Sequence, residues 1–367
     1  MRVTAGMTAE LSVYNIQQGR SRIDKITEKL TSNQMINRPS DDPVSSGTLL
    51  DVKSKITSYD QFNVNITKCK SWLEVTSNGL AGISDILDAA RNLISGSSSL
   101  SIQDPTQRQV MHDQIIEIKK QLIEMGNVQY GDQYIFGGGN NLVPPFSQKT
   151  GDLTNGVAVV PVTDVTGLSV NMQVYGTEIP ANTVITAITA GPPSSVTLSN
   201  APTLSITGST LNFYAGDSTQ REVEITTNTR QAFSTTGDRL LLGSGTNPTY
   251  GSTNILQVMD DLLTAVGDGN PANPGSSAAV TAAGKQLESA AKQVNAAITI
   301  NSSRILRVDN MAKLNDINKT TLTSISTSIQ NVDLAKYGMQ LNAEQTAFQA
   351  SLAATARIST MSLLDYL

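Results

Sequence analysis

Apolar residues recur at alternating spacings of three and four along two long stretches, one toward each end of the chain. The first stretch covers residues 52–94 and the second covers residues 278–332. This spacing predicts long helices that each carry one narrow apolar stripe, as in coiled coils. A narrow stripe needs a partner helix to cover it. We therefore expect the two stretches to pack against each other, antiparallel, within one chain.

Shorter helical patterns accompany these two stretches. A helix is predicted over about residues 8–32, and another opens at Asp104-Pro105, because proline suits the first turn of a helix. The tail beyond Gly338 continues an apolar stripe without further proline or glycine. The end stretches 1–35 and 340–367 have little else to bury against. We expect them to be weakly ordered in a monomer and ordered in an assembly.

The middle of the chain changes its period from helix-like to strand-like. Short apolar runs alternate there with turn pairs such as Asn155-Gly156 and Gly208-Ser209. Their close spacing predicts an antiparallel sandwich or a small barrel. Gly137–Gly139 are interpreted as a hinge that leads into this region. The predicted strands are 157–162, 170–174, 184–188, 196–198, 211–213 and 221–225.

These patterns together predict a mainly α fold with a β insertion. Long antiparallel coiled-coil helices come from both chain ends, and a β-rich domain lies between them in sequence. The alternative is two separate helical bundles that flank a sandwich. The predicted domains are a terminal helical assembly segment (1–40 with 335–367), a helical coiled-coil domain (41–142 with 251–334) and a β-rich outer domain (143–250).

The residue composition and motifs argue against metal sites, disulfides and catalytic sites. The chain has one histidine, His112, and one cysteine, Cys69, so neither a multi-histidine metal site nor an intrachain disulfide can form. The sequence contains no nucleophile elbow and no phosphate-binding loop. We expect no enzyme activity, no cofactor and no metal. A net charge of −5 and the lack of a long apolar run predict neither nucleic-acid binding nor membrane insertion.

Two adjacent acid pairs are interpreted as structural. Asp41-Asp42 and Asp260-Asp261 cannot face each other across a cleft, since neighbouring residues on a helix point in different directions. Helix capping or solvation is the better interpretation, and Asp41 and Asp42 are placed to cap the helix that follows them. The first residues lack the basic and apolar regions of a cleavable secretory signal.

Four motifs, in the same order along the chain, resemble the flagellin superfamily. The form of the first, Arg38-Pro39-Ser40-Asp41-Asp42-Pro43, is similar to the branch that joins the hook to the filament. Residues 157–212 fit the resemblance less well, so we interpret them as an insertion or an enlarged outer domain. The motifs are LTSNQMINRPSDDPVSSGTLL (30–50), QYIFGG (133–138), FYAGDSTQREVEI (213–225) and the tail that contains QTAFQASLAATARIS and SLLDYL (345–367).

The resemblance implies an extracellular structural protein, exported unfolded through the flagellar type III apparatus. The implied partners are further copies of the same chain in a ring, the first hook-associated protein, flagellin and an export chaperone. Two alternatives stay open: a flagellin filament subunit, and a surface adhesin or phage-fibre-like protein. The predicted assembly interface consists of Val13, Ile16, Ile23, Leu30, Leu341, Phe348, Leu352, Ile358, Leu363 and Leu364.

Overall fold

The structure is a computed structural model, and its described residues form two compact units. One unit contains those up to Gln61 and from Leu314 onward, and the other contains those within Phe62–Lys313. The three-domain division drawn from the sequence stays a prediction. The structure describes residues 5–96, 104–176, 178–180, 182–243, 251–267 and 275–364.

Helices make up most of the described chain, and two of them are 54 residues long. None of the described helices is both long enough and apolar enough to cross a bilayer. The helices are α1 (Ala5–Ser32), α2 (Pro43–Gly96), α3 (Pro105–Gly126), α4 (Gly237–Leu240), α5 (Ile255–Val266), α6 (Ser277–Gln330) and α7 (Leu334–Leu364).

The apolar seam of α2 forms the centre of the 62–313 unit. Its residues repeat at spacings of three and four and are all buried, which is the coiled-coil pattern that the sequence predicts. Lys70 bonds Asp309 of α6, whereas the carbonyl of Leu73 accepts a bond from Asn301, so α2 and α6 run antiparallel. The seam residues of α2 are Ile66, Cys69, Leu73, Thr76, Leu80, Ile83, Leu87 and Ala90.

The β region consists mostly of two three-stranded antiparallel sheets, ordered β3–β8–β5 and β4–β7–β6. Apolar side chains from both sheets meet in one core that includes Val160, Val174, Ile185 and Phe213. The strands are β1 (Gln129–Tyr130), β2 (Gln133–Tyr134), β3 (Phe146–Leu153), β4 (Val159–Pro161), β5 (Gln173–Tyr175), β6 (Ile185–Thr189), β7 (Ser195–Leu198), β8 (Ile206–Tyr214), β9 (Glu222–Thr226) and β10 (Thr229–Ala232).

The inner end of the β region joins the helical core of the same unit. The rings of Phe146 and Tyr214 lie 5.1 Å apart, and both belong to the apolar cluster that contains Leu80 and Leu122. The predicted fold class, mainly α with a β insertion and antiparallel helices from both chain ends, is confirmed. Strands β1, β2, β3 and β10 were not predicted.

Gly137–Gly139 form a packed turn instead of the hinge that the sequence suggests. Gly138 has a φ of +68°, and a Cβ there would lie 2.4 Å from the carbonyl oxygen of Asp217. The amide of Gly139 donates to the Asp217 carboxylate at 2.6 Å. Because this approach leaves no room for a side chain, glycine is required by packing as well as by backbone conformation.

Candidate assembly surface

The two chain ends form an antiparallel helical hairpin of α1 and α7. Arg22 pairs with Glu344 at 3.1 Å, and the ammonium of Lys29 lies 5.6 Å from the ring centroid of Tyr337. Increasing residue numbers along α1 therefore pair with decreasing residue numbers along α7, which makes the two helices antiparallel. The hairpin brings together chain ends that are more than 300 residues apart in sequence.

A glycine allows the two helices to approach closely. Gly19 of α1 is buried, and a Cβ added to it would lie 3.2 Å from Cδ2 of Phe348. The aromatic ring therefore rests directly on the α1 backbone. Glycine lowers the stability of a helix interior by about 1 kcal/mol relative to alanine, so its presence in mid-helix calls for a packing reason. The fit against Phe348 supplies one.

Backbone contacts fix the other end of the hairpin. The amide of Met35, just after α1, donates to the carbonyl of Gln330 at 2.7 Å. Gln34 and Asn331 form an isolated antiparallel bridge. Asp333 caps α7, because its carboxylate accepts from the amide of Lys336 at 3.0 Å. The loops that enter and leave the hairpin are thus held together by main-chain bonds.

The predicted interface residues divide into three groups. The first group consists of Val13 and Leu352, which are 52% and 43% exposed. Ile358, Leu363 and Leu364 belong to the last part of α7, where side chains lie outside the described residues. Their role in assembly stays a prediction for all three groups. The half-buried members are Ile16, Ile23, Leu30, Leu341 and Phe348.

Several further apolar side chains on the hairpin face solvent. Met7, Leu11 and Tyr14 of α1 are each more than half exposed, as are Leu334 and Met339 of α7. A pair of helices can cover the apolar stripe that faces its neighbour, but it leaves other apolar positions in water. Met7, Leu11 and Tyr14 are spaced by four and three along α1 and share one face, and apolar side chains exposed side by side are typical of surfaces that bind other proteins.

The Arg38–Pro43 motif forms the tight connection between α1 and α2. Asp42 caps α2 by accepting from the amides of Val44 and Ser45 at 3.2 and 3.1 Å. A hydrogen bond from the Ser45 hydroxyl, above all, lowers the pKa of the Asp42 carboxyl. Pro43 begins the helix, where its missing N–H costs nothing.

Asp41 of the motif has a different role from the predicted cap. Its carboxylate accepts from the amides of Arg38 and Asn37 at 2.9 and 3.2 Å, which closes the preceding turn. The bond from the Arg38 amide is the main cause that lowers the pKa of the Asp41 carboxyl. Arg38 also bonds Glu28 of α1 at 3.3 Å. The prediction that both aspartates cap α2 is therefore right for Asp42 and wrong for Asp41.

A cleft of about 580 Å³ in the 62–313 unit offers little catalytic chemistry. The Arg221 guanidinium lies 5.0 Å from the ring centroid of Trp72 and 5.2 Å from that of Phe233, so these aromatic groups already hold a cation. Burial raises the pKa of the Cys69 thiol to about 11, and the thiol is therefore protonated near neutral pH. Among the described residues no cluster of His, Cys, Asp or Glu is placed to hold a metal.

Sequence reasoning missed a buried ion pair. Asp260 was interpreted as a capping or solvated residue, but it lies 2.5 Å from the ammonium of Lys119 in the interior. The prediction is wrong because α5 carries Asp260 on the side that faces α3. The amphipathic pattern of α5 gave one usable signal, since Asp260 lies between the buried Met259 and Leu262.

Comparison with known proteins gives a match over the first three helices of the chain. The model of the bacterial flagellin N-terminal helical region matches residues 6–141. That match contains α1, the Arg38–Pro43 motif, α2 and α3. This part of the chain is therefore similar to the flagellin N-terminal helical region. The resemblance to the flagellin superfamily that the motifs indicate is confirmed.

Individual relatives carry flagellar names. The chain is 23% identical over 159 residues to flagellar hook-associated protein 3 of Salmonella typhimurium, a match that covers 42% of this chain and 49% of the relative. The matched stretch thus spans about half the length of that protein.

One solved structure shares the fold, and others align less closely. A structure of a flagellar hook-associated protein from Vibrio parahaemolyticus aligns with a TM-score of 0.52 and 17% identity, over 79% of this chain and all of the other. FlgL of Bacillus cereus aligns with a TM-score of 0.39 and 14% identity, over 77% of this chain and 99% of the other. At these identities the first alignment establishes a common fold.

Proposed function

We propose that this flagellin-like protein is a structural subunit of the bacterial flagellum that joins the hook to the flagellin filament. The observation that carries the proposal is the antiparallel α1–α7 hairpin, which presents apolar side chains to solvent at both chain ends. A subunit that covered these side chains with neighbouring subunits would be held in a polymer. The similarity to proteins named hook-associated supports the junction over other places in the flagellum.

The energetics of the hairpin favour assembly. Full burial of one leucine or valine side chain contributes about 1.5–3 kcal/mol. Ordering a helical residue costs about 1–2 kcal/mol of backbone entropy. Because α1 and α7 already form a helical hairpin, part of that entropy cost is met within the subunit. Most of the free energy gained by burying Leu11, Val13 and Leu352 against neighbouring subunits would then favour association.

The proposed partners follow from a place at the junction. The subunit packs against further copies of itself in a ring, against the first hook-associated protein on one side and against flagellin on the other. An export chaperone holds the C-terminal helix before secretion. The protein works outside the cell and has a mechanical role with no enzyme activity.

A flagellin filament subunit is the second candidate, because the matched family model describes the flagellin N-terminal region itself. Purified protein that forms long filaments alone in solution would favour this candidate. The adhesin or phage-fibre alternative has weaker support. It needs parallel stalks from several chains, whereas here both chain ends pair antiparallel within one chain.

Deletion of the gene in its host, followed by electron microscopy of cells and culture supernatant, tests the proposal. The expected result is hooks without filaments, with monomeric flagellin in the medium, and restoration of filaments by a plasmid copy. Intact filaments on the deletion strain would refute the junction role. Loss of filaments without flagellin in the medium would identify the protein as flagellin.

A further inference from the structure

The cleft of the 62–313 unit has a wall of aromatic rings. Trp72 of α2, Tyr130 of β1 and Phe233, just after β10, line this cleft, whose volume is about 580 Å³. The Trp72 ring meets the rings of Tyr130 and Phe233 edge to face, with centroids 5.9 and 5.7 Å apart. Clefts of roughly 300–1,000 Å³ with aromatic walls and a few polar groups are typical of small-molecule sites.

A guanidinium lies against this wall without a carboxylate partner. Arg221 is half-buried, and its guanidinium stacks on the rings of Trp72 and Phe233. Its Nη1 donates to Oε1 of Gln133 at 2.9 Å, which is a neutral acceptor. Arg221 forms no ion pair with any residue that the structure describes. The rings and one amide therefore fix this cation in place but leave its charge unbalanced.

Burial has removed water from this cation without supplying a counter-charge. Desolvation lowers the pKa of the Arg221 guanidinium, although arginine stays charged at neutral pH. An anion that entered the cleft would restore the lost interactions. A carboxylate suits this position best, because its two oxygens match the donor geometry of a guanidinium.

The rim of the cleft is polar and carries charges of both signs. Lys68, Asp132 and Glu222 line it and are exposed, and none of the three forms an ion pair within the described part of the chain. Asp132 and Glu222 would repel a ligand that carried negative charge alone. Hydroxyl groups, in contrast, would donate hydrogen bonds to these two carboxylates. The cleft thus favours a ligand that combines one carboxylate with several hydroxyls.

We propose that the cleft binds a sugar acid of the uronate type, with its carboxylate on Arg221 and its hydroxyls on the polar rim. The C–H face of the sugar ring packs against Tyr130, which is 39% exposed and so offers part of its ring to a ligand. The site lies within the 62–313 unit and does not depend on the proposed place at the junction. A solvated cleft, in which Arg221 only packs between the rings, is the alternative account.

The single tryptophan of the chain gives a direct measurement, because Trp72 lines the cleft and its fluorescence reports on this site alone. The full-length protein is titrated with galacturonate and with galactose, which has a hydroxymethyl group in place of the carboxylate. Saturation-transfer NMR, which detects weak ligands, repeats both titrations without relying on fluorescence. We expect galacturonate to bind saturably and galactose to bind about 10- to 100-fold more weakly, because galactose lacks the charged hydrogen bonds to Arg221.

Three results of these titrations would overturn the proposal. The first is the absence of galacturonate binding by both methods at millimolar concentration, and the second is equal affinity for galacturonate and galactose. The third is equal affinity for benzoate, which has a carboxylate and a flat ring but no hydroxyls. Trigalacturonate then distinguishes the source of the ligand: affinity equal to that of galacturonate indicates a free sugar acid, and tighter binding indicates an acidic polysaccharide.

Variants separate the roles of the charge and the ring. Arg221→Gln should remove the preference for galacturonate over galactose, whereas Tyr130→Ala should weaken the binding of both sugars. Tyr130 lies exposed on a two-stranded hairpin, so this variant keeps the test valid even if Arg221→Gln unfolds. Arg230→Gln is the matched control, because Arg230 is an exposed arginine of β10 that does not line the cleft. A folded Arg221→Gln variant that still prefers galacturonate would overturn the role assigned to Arg221.

Discussion

The connection between α1 and α2 shows how two adjacent aspartates serve different neighbours. Asp42 accepts from amides that follow it and begins α2, whereas Asp41 accepts from amides that precede it and closes the turn. The sequence indicates that caps are needed here, because two prolines bracket the pair. It does not indicate the direction of each side chain, which depends on the path of the turn.

The lowered pKa of Asp42 makes a prediction about acid stability. A carboxyl whose folded pKa is below its unfolded value stabilises the fold above the unfolded pKa, and this contribution is lost as the pH falls through the folded pKa. Asp42→Ala should reduce the thermal midpoint at neutral pH. Asp42→Asn keeps a capping oxygen but does not titrate, so its midpoint should fall less than that of the wild type between about pH 4 and pH 2. Circular dichroism melts of the three proteins over this pH range measure the effect. If the thermal midpoints of the wild type and Asp42→Asn fell equally with pH, the prediction would be contradicted.

A second prediction at the residue scale concerns the packed glycine turn. Gly138→Ala should destabilise the 62–313 unit more than Gly156→Ala. Both glycines have positive φ, which costs alanine about 1–2 kcal/mol, but only Gly138 faces a neighbour, since nothing lies within 4 Å of a Cβ at Gly156. Urea unfolding of the two variants measures the difference. Equal losses would show that the turn has room for a methyl group and is not held against Asp217.

At the scale of elements, the helix pairs are the features that the sequence predicts best. The spacing of apolar residues along α2 and α6 predicts both long helices, because this spacing can be read from neighbouring residues in the sequence. Their antiparallel pairing is predicted because each narrow apolar stripe needs a partner helix to cover it. Strand β3 escaped prediction because its sequence, Phe-Ser-Gln-Lys-Thr-Gly-Asp-Leu, contains few strand-favouring residues. It forms by pairing with β8 from Phe146↔Tyr214 to Leu153↔Ile206. The Lys119–Asp260 pair escaped for a related reason, since its members are 141 residues apart.

The α1–α7 hairpin gives a prediction about helix packing. Gly19→Val should separate α1 from α7, because the added side chain meets the Phe348 ring, and overpacking typically costs about 1–3 kcal/mol. Gly338→Val on α7 is the matched control, since a Cβ there has nothing within 4 Å. That variant should be neutral or slightly stabilised, because valine favours a helix more than glycine does. Limited proteolysis of the chain ends in the two variants makes the comparison, and equal protection would argue against the fit at Gly19.

At the scale of the whole molecule, we expect folding of the β region to be separable from assembly through the chain ends. Deletion of residues 350–367 should leave the β region folded, since its core consists of residues from β3 to β8. The same deletion should abolish filament attachment, because part of α7 is lost. Gln349→Ala, at an exposed polar position just before the cut, is the control and should support filaments. Filament counts by electron microscopy, with proteolysis of the secreted protein, measure both effects. Normal filaments on cells with the truncated protein would contradict the assembly role of the chain ends.

The central claim is the position of the subunit between hook and filament, and labelling the intact flagellum tests it most directly. An epitope inserted at the exposed Asn155-Gly156 turn, in the native gene, would be detected with gold-labelled antibody on flagella sheared from cells together with their hooks. Epitope-tagged flagellin, labelled along the whole filament, is the control. The expected result is a single band of gold at the boundary between hook and filament. Gold along the length of the filament, or none on the flagellum, would contradict it.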